Sequence, residues 1–434
     1  MPLTFYLVLV VQFISTLADN ALLIVSIARV IELGSPAWII PVIKISFTLF
    51  YVVLAPMAGP LADAFPKGQV MLGANFLKLC AIFWMLTGAN PALAIAVAGL
   101  GAAAYAPAKY GLITELLPAQ ELVRANGFFE SVTVSAVIFG TALGGLLISP
   151  WMPLWVAPDW LTTTGDAASS LGAGMMVLVV MNSVATVLSL WVADSGVRYE
   201  KHSIHPKALV WRFHRENLIL WRDPMGGLSM TVTTLLWGVG ATLQLMVLRW
   251  ANEALGLTLD QAAYLQGVTA LGVIAGAMLA SRWISLNQAA TLLPVGILIG
   301  VLIPSMLFIE SVTLAVVLLI TVGTLAGFFV VPMNALLQHR GCQLMTAGRS
   351  IAVQGFNENG GMLLMLGLYA VATALNASLF ALVLAFGCLV TLGMALIYRT
   401  HQSRTRRESL ARVLVKVPHG QHQNVIKPSQ NRYF

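Results

Sequence analysis

Twelve apolar segments, each about 20 residues long, follow one another along the chain with little polar sequence between them. A helix of about 20 mostly apolar residues is long enough to cross the hydrocarbon core of a bilayer. The composition also indicates a membrane protein, because 58% of the residues are hydrophobic and only 9% are charged, against roughly 25% charged in soluble domains. The sequence therefore predicts an all-α membrane protein with twelve transmembrane helices.

The twelve segments form two groups of six, separated by a charged stretch near the middle of the chain. We expect an N-terminal six-helix bundle (1–193), a basic linker (194–224), a C-terminal six-helix bundle (225–398) and a basic, disordered tail (399–434). The predicted spans cover approximately residues 3–31, 37–58, 70–88, 91–112, 127–147, 172–193, 225–250, 262–280, 290–309, 313–333, 353–375 and 377–398.

Lysine and arginine are distributed unevenly between the predicted loops. With the N-terminus in the cytoplasm, 19 of the 24 cations fall in cytoplasmic loops, the linker or the tail. Membrane proteins carry such an excess of cations on the cytoplasmic side, so we expect both termini there. The same distribution accounts for the net charge of +7 without a basic face for nucleic acid, and no nucleic-acid partner is expected.

The sequence lacks the motifs of several enzyme classes. It has no G-x-x-x-x-G-K-[ST] phosphate loop and no G-x-S-x-G nucleophile motif. Its seven histidines fall in predicted loops or the tail, and its three cysteines are scattered without metal-binding spacing. We therefore expect no enzymatic activity, no cofactor and no metal. A membrane acyltransferase is disfavoured, since it would need a histidine beside an acid at the membrane.

Asp19 lies near the centre of the first predicted span, beside Asn20. A carboxylate at that depth costs about 2.5–3.5 kcal/mol on insertion scales, so it marks a functional site by default. An ion pair between packed helices is the structural alternative. Asn20 adds donors that packing does not require, and both residues are therefore predicted to bind substrate. Lys78, within span three, fits an internal ion pair as well as a substrate contact.

Two arginines occupy matching positions in the two halves. The segment from Ala241 to Arg249 repeats alanine, leucine and arginine positions of the segment from Ala21 to Arg29. Anchoring at the membrane interface is the structural interpretation, and capture of a phosphate by the guanidinium group is the functional one. The further residues predicted to contact substrate are therefore Arg29, Arg249 and the deeper Gln244.

A polar stretch from Gly101 to Glu130 recurs in the second half as Gly327 to Glu358, which indicates two related halves. Lys109 and Glu115 bracket the inner end of span four. Glu130 lies about a turn into span five, and Glu358 lies about a turn into span eleven. Capping of a helix N-terminus is the structural alternative for the acids. The four residues predicted to control the cytoplasmic gate are Lys109, Glu115, Glu130 and Glu358.

Two groups of six spans with a basic central loop resemble the major facilitator superfamily. In the loop after span two, Gly59-Pro60-Leu61-Ala62-Asp63 followed by Lys67-Gly68 is similar to that superfamily's G-x-L-A-D-R-x-G-R motif, although Ala64 and Gln69 depart from it. The resemblance implies the major facilitator fold and alternating access between the bundles. It also implies that Asp63 and Lys67 form a charge contact that controls conformation.

Within that superfamily the chain resembles the bacterial lysophospholipid transporter family (LplT). The resemblance rests on Ala18-Asp19-Asn20-Ala21-Leu22-Leu23, Ala106-Pro107-Ala108-Lys109-Tyr110-Gly111, Ala125-Asn126-Gly127, Leu236-Trp237-Gly238 and Gly327 to Gln338. It implies movement of lysophosphatidylethanolamine and related lysolipids from the outer to the inner leaflet of a Gram-negative inner membrane. It also implies a separate cytoplasmic acyltransferase that reacylates the lipid.

An exporter of amphipathic cations or drugs is the alternative within the same superfamily. Asp19 would suit a cationic substrate equally well. Proton coupling, sodium coupling and downhill flipping without an ion all fit the sequence, since Asp19, Glu130 and Glu358 are each able to take a proton or contact sodium.

Overall fold

The structure is a computed structural model that describes residues 1–34, 39–148, 170–199, 205–257 and 259–415. These ranges contain fourteen α-helices, three short 3-10 segments and no strand. The first half comprises α1 (Leu3–Glu32), α2 (Ile39–Val53), α3 (Ala55–Ala64), α4 (Lys67–Leu86), α5 (Pro91–Leu116), α6 (Leu122–Leu147) and α7 (Ser170–Ser189). After α8 (Pro206–Arg222), the second half comprises α9 (Pro224–Glu253), α10 (Leu259–Trp283), α11 (Leu293–Leu302), α12 (Val312–Leu344), α13 (Ala347–Ala374) and α14 (Leu379–Val415).

Ten helical segments of the described chain are long and apolar enough to cross a membrane, and the bent pair α2 and α3 makes eleven. The segment Leu286–Phe308, which contains α11 between two 3-10 turns, counts as one of them. Helix α13 is not among them, because charged and amide residues in its first half lower its mean hydropathy. Length and composition alone therefore support ten or eleven of the twelve predicted spans.

A proline produces the bend between α2 and α3. Helix α3 begins at Ala55 with Pro56 in its first turn. Proline lacks an N–H group and its ring clashes with the preceding turn, so the two helices meet at 67°. The bend directs α3 against α13, where a Cβ on Gly59 would lie 2.8 Å from the Cα of Arg349.

Equivalent helices pack alike in the two halves. Helix α1 packs against α6 as α9 packs against α13, and α2 packs against α5 as α10 packs against α12. The halves meet mainly where α6 contacts α10 and where α3 contacts α13. The end of the molecule that carries α8 is called the linker face below. The opposite end, where α1 and α9 finish near Arg29 and Arg249, is called the far face.

Two helices occupy segments that the sequence assigns to loops. Helix α8 lies within the predicted linker and packs against α3, α9, α12 and α13, burying Leu209, Phe213 and Leu220 along one face. Helix α14 continues to Val415, so residues 399–415 are helical rather than disordered, because their arginine, leucine and alanine residues favour helix and extend its hydrogen bonding. Residues 416–434 of the predicted tail lie outside the described part.

Candidate functional site

A polar cavity of about 270 Å³ lies between the two halves, near the middle of the long helices. Residues of α1, α2, α4, α5 and α6 line it from the first half, and residues of α9 and α13 line it from the second. Its charged lining residues are two acids and two cations, namely Asp19, Glu358, Lys78 and Lys109. A cavity with both signs of charge inside a membrane protein suits a polar or zwitterionic ligand.

Asp19 forms an ion pair with Lys78, with 2.5 Å between Oδ2 and Nζ. The Asp19 side chain is 14% exposed and that of Lys78 is 2% exposed. Lys78 also donates to Ser15 at 3.0 Å, and Ser15 donates to Asn75 at 2.9 Å. A buried cation needs such partners because desolvation is costly. The network fixes Lys78, while Asp19 keeps a face toward the cavity.

Lys109 lies on the same cavity wall and is 6% exposed. Its ammonium group donates to Gln12 Oε1 at 3.0 Å and lies 4.2 Å from the centre of the Tyr110 ring. Gln12 is itself held by a 3.1 Å hydrogen bond to Thr133. The direct contacts of the Lys109 ammonium group are a glutamine oxygen and an aromatic face, so it is not bonded to a carboxylate and can contact an anionic ligand group.

Glu358 enters the polar cavity from α13. It accepts a 2.8 Å hydrogen bond from Gln354, which also donates to Asn334 at 3.2 Å. Three buried atoms of residues in the cavity wall have no hydrogen-bond partner within the described structure: the Tyr105 hydroxyl, Trp237 Nε1 and Gln354 Oε1. Unpaired buried polar atoms are rare in folded proteins. Polar groups of a ligand in this cavity can supply partners for them.

An apolar cavity of about 340 Å³ adjoins the polar one. It is bounded by α6, α9, α10 and α12, and its few polar lining residues include Gln244, Gln266 and Glu130. Gln244 and Gln266 bond to each other, at 3.1 Å between the side chains. Trp237 lines both cavities. A ligand with a polar end and an apolar end can therefore occupy the two cavities together.

The linker face is closed by contacts between the halves at Asp63. Its carboxylate accepts a 2.9 Å hydrogen bond from the backbone N–H of Gly348 and another from the Thr346 hydroxyl. These donors belong to the start of α13, where the helix dipole favours an anion. Lys67 lies between two carboxylates, 2.8 Å from Asp63 and 3.2 Å from Glu115. The cluster joins α3, α4 and α5 to α13.

A second closure connects α6 with α12. Asn126 and Gln338 exchange two amide hydrogen bonds, of 2.8 and 2.9 Å, and both side chains are buried. Close beside them, a Cβ on Gly127 would lie 2.8 Å from the Ala277 carbonyl oxygen of α10. Glycine at this position lets the two halves come into backbone contact.

Helix α8 holds the second half at the same face. Glu216 pairs with Arg349 at 3.0 Å, and burial raises the pKa of the Glu216 carboxyl, although Arg349 opposes the shift. Asn217 and Trp221 both bond Asn357, at 2.8 and 3.0 Å. Asn357 of α13 is therefore held by the linker helix.

Replacing Gly348 with alanine is expected to shift the protein away from the closed linker face. The new Cβ would lie 2.6 Å from Asp63 Oδ1 and 2.7 Å from the Gly59 carbonyl oxygen. Spin labels at the exposed Arg124 and Arg282, one in each half, measure the opening as a longer distance in pulsed electron resonance. Gly360→Ala is the control, since that Cβ meets nothing within 4 Å. Identical distance distributions for the two variants would contradict the role of the Asp63 contact.

The residues predicted from the sequence lie in four places. Asp19, Asn20, Lys109 and Glu358 line the polar cavity, and Gln244 and Glu130 line the apolar one. Asp63, Lys67 and Glu115 form the linker-face cluster. Arg29 pairs with Glu32 at 2.7 Å and Arg249 with Glu253 at 2.6 Å near the far face, and neither is among the residues that line the two cavities.

Several residues of the site carry no signal strong enough to find them in the sequence. Gln12 lies seven residues before Asp19 and so on the same face of α1, which is the one available hint. Trp237 looks like an ordinary packing residue, and Gln354 is one of several amides in the polar first half of α13. No group of three or more His, Cys, Asp or Glu that could hold a metal ion occurs in the described ranges.

Comparison with known proteins agrees with this architecture. The profile of the Major Facilitator Superfamily matches residues 8–342. The lysophospholipid transporter LplT of Yersinia enterocolitica is 39% identical over 376 residues, which cover 86% of this chain and 88% of that protein. This chain belongs to the LplT family of the major facilitator superfamily. Its LplT relative from Yersinia pestis is 38% identical over the same shares of both chains.

Solved structures share the fold of this LplT family member. The transporter FucP in its outward conformation superposes with a TM-score of 0.71 and 15% identity, covering 92% of this chain and 98% of FucP. A bacterial homologue of the iron transporter ferroportin, in its outward-facing state, gives a TM-score of 0.69 and 13% identity, covering 93% and 100% of the two chains. At such low identity these structures bear on the fold alone.

Proposed function

We propose that this chain moves lysophospholipids across the membrane by alternating access between its two halves. The observation that carries the proposal is the pair of adjoining cavities, one polar with charges of both signs and one apolar, which share Trp237. A lysophospholipid has the matching construction of a charged headgroup and a single acyl chain. The name shared by the LplT relatives supports the same substrate.

The polar cavity takes the headgroup of lysophosphatidylethanolamine. Its ammonium group binds Asp19, which keeps a face toward the cavity beside Lys78, with Glu358 as a second acid. Its phosphate binds Lys109, whose present partners are neutral. A simple amphipathic cation would meet two lysines in this cavity without an anion of its own to offer them. The charge balance therefore favours a zwitterion over a cationic drug.

The apolar cavity takes the acyl chain. Its walls are mainly valine, leucine and alanine from α9, α10 and α12, with α6 on the side of the first half. Glu130, predicted from the sequence as a gating residue, lies at its edge, where the headgroup passes as the halves rearrange. Gln244 and Gln266, bonded to each other, provide a polar point along this wall.

The linker face is the cytoplasmic side in this proposal, as the distribution of lysine and arginine predicts. Both termini are then cytoplasmic, and α13 is span eleven, which completes the set of twelve and is polar because it borders the headgroup cavity. The described state is closed toward the cytoplasm by Asp63 and Asn126. Lipid enters from the outer leaflet and leaves to the inner leaflet when Asp63, Lys67 and Glu115 release α13.

The cellular setting follows from the same substrate. We place the protein in the inner membrane of a Gram-negative bacterium, where it supplies lysolipid to a separate cytoplasmic acyltransferase. Arg29 and Arg249, near the far face, are then at the outer mouth, where they attract the lipid phosphate before it reaches the cavity.

Reconstitution in liposomes tests the proposed function. Fluorescent lysophosphatidylethanolamine is placed in the outer leaflet, and its inward movement is followed as loss of extraction by albumin. We expect movement several times faster than in protein-free liposomes, and no comparable uptake of a cationic dye. Imposed proton and sodium gradients, each tested separately, show whether transport is coupled to an ion. Dye transport without lysolipid movement would instead identify an exporter of amphipathic cations.

A further inference from the structure

Trp237 stands at the junction of the polar and apolar cavities and lines both. Its indole Nε1 is buried and has no hydrogen-bond partner in the described structure. Buried donors are nearly always paired, and the indole N–H can only donate. Because Trp237 belongs to the walls of both cavities, a ligand that spans them can bring an acceptor to this group.

The position of Trp237 determines which part of a lysolipid it meets. If the headgroup occupies the polar cavity and the acyl chain the apolar one, as in the proposed function on which this step rests, the glycerol backbone lies at Trp237. The backbone carries one ester and one free hydroxyl. A hydroxyl accepts a hydrogen bond and also donates one. Gln354 Oε1, on the wall of the polar cavity, is a buried acceptor without a partner.

We propose that Trp237 recognises the free glycerol hydroxyl that distinguishes a lysolipid from a diacyl lipid. The indole Nε1 donates to the hydroxyl oxygen, and the hydroxyl hydrogen turns toward the polar cavity, where Gln354 Oε1 accepts it. An acyl ester at the same position has no hydrogen to donate and leaves that acceptor unpaired in a buried site. The discriminating contact is therefore the one to Gln354 Oε1, and Trp237 is the residue that holds the hydroxyl oxygen in place for it.

A lipid without the hydroxyl tests the proposal. Transport of lysophosphatidylethanolamine by proteoliposomes is compared with transport of its 2-deoxy analogue, in which hydrogen replaces the hydroxyl. The wild-type protein should prefer the hydroxylated lipid about tenfold at limiting concentration, the effect of leaving a buried donor unpaired. Trp237→Phe should reduce that preference to about threefold, by slowing the hydroxylated lipid more than the deoxy lipid, because one of the two hydrogen bonds of the hydroxyl is lost.

Trp250→Phe is a matched control. Trp250 lies on the same helix, α9, and its indole Nε1 is also buried without a partner, but it lines neither cavity. The control should keep the wild-type preference. Equal effects of the two substitutions on the preference would assign the change to packing of α9 and overturn the proposal.

Transport of the two lipids by the wild-type protein tests the proposal even if Trp237→Phe does not fold. Equal transport of the two lipids by the wild-type protein overturns the recognition of the hydroxyl while leaving lysolipid transport intact. A Trp237→Phe protein that slows both lipids equally overturns it too, since the indole would then serve only packing. Failure of the wild-type protein to move either lipid overturns the proposed function and this proposal with it.

Discussion

Replacing Asp19 with asparagine is expected to slow lysophosphatidylethanolamine transport at least about thirtyfold. Removing one partner of a buried, hydrogen-bonded charge pair costs about 2–5 kcal/mol, and 2 kcal/mol corresponds to about thirtyfold in rate. In the proposed mechanism Asp19 binds the headgroup ammonium, and asparagine offers it a neutral oxygen. Uptake of labelled lipid by spheroplasts or proteoliposomes, normalised to the amount of folded protein, measures the effect.

Asp19 has two roles, and the single substitution removes both of them. It neutralises Lys78, at 2.5 Å, and it faces the cavity. The variant Asp19→Asn leaves Lys78 buried without its counter-charge, which by itself destabilises the fold. The double variant Asp19→Asn, Lys78→Met removes both charges. It should recover thermal stability toward the wild type, because methionine fills the volume of lysine without a charge.

Transport by the double variant separates the two roles. If Asp19 contacts the headgroup, the double variant is stable yet remains slow. Recovery of the wild-type rate would remove Asp19 from substrate binding and leave it the role of balancing Lys78. Asp194→Asn is the control for loss of an acid, since Asp194 is outside the membrane spans and pairs with the exposed Arg198. It should leave both stability and transport unchanged.

The sequence identified Asp19 because a carboxylate within an apolar run is costly, a signal that needs no knowledge of the fold. The sequence predicts the depth of Glu130 and Glu358 in the membrane less accurately. Hydropathy ends a span where polar residues begin, so the predicted span eleven starts at residue 353 and puts Glu358 only about a turn from its start. Helix α13 begins at Ala347, which places Glu358 about three turns inside and at the cavity.

The same effect displaced Lys109 and Glu130. Helix α5 continues to Leu116 and α6 begins at Leu122, so both residues lie about two turns from the helix ends. Polar residues that line a cavity shorten the hydropathy signal at the point where the site is, and a cavity residue is then placed at the end of a predicted span. Asp63 and Glu115 avoid the error because they lie at true helix ends.

Contacts between distant helices were beyond the sequence. The sequence shows that Arg29 and Arg249 occupy matching positions in the two halves. It does not show that each arginine forms an ion pair with an acid three or four residues further along the chain. Asn126 and Gln338 are 212 positions apart, and each looks like an ordinary amide. The position of Trp237 between a polar and an apolar cavity is evident only from the structure.

The second large effect is expected from Gly276→Val, which should prevent or severely weaken packing of α10 against α12. A Cβ on Gly276 would lie 1.9 Å from the carbonyl oxygen of Thr324 and 2.8 Å from the backbone nitrogen of Phe328. Both atoms are backbone, so no side-chain rotation relieves the clash. On the facing helix, Gly323 and Gly327 make equally close approaches to α10.

Small residues have a particular importance here because lipid is as apolar as the helix surface, and close van der Waals packing holds spans together. The loss of stability should reach about 3 kcal/mol or more, the upper range for overpacking a tight contact. The thermal midpoint of the detergent-solubilised protein measures it. Gly267→Val is the matched control, since Gly267 is on the same helix and its Cβ meets nothing within 4 Å.

The two variants also test how the apolar cavity is built. Val273 and Val330, on α10 and α12, line it on either side of the glycine contact. Separating these helices changes the compartment proposed for the acyl chain, so a surviving Gly276→Val protein should lose preference among acyl-chain lengths. Transport of lysolipids with 12, 16 and 18 carbons, compared with Gly267→Val, measures that preference. An unaltered midpoint for Gly276→Val would mean that α10 and α12 are not in backbone contact in the membrane.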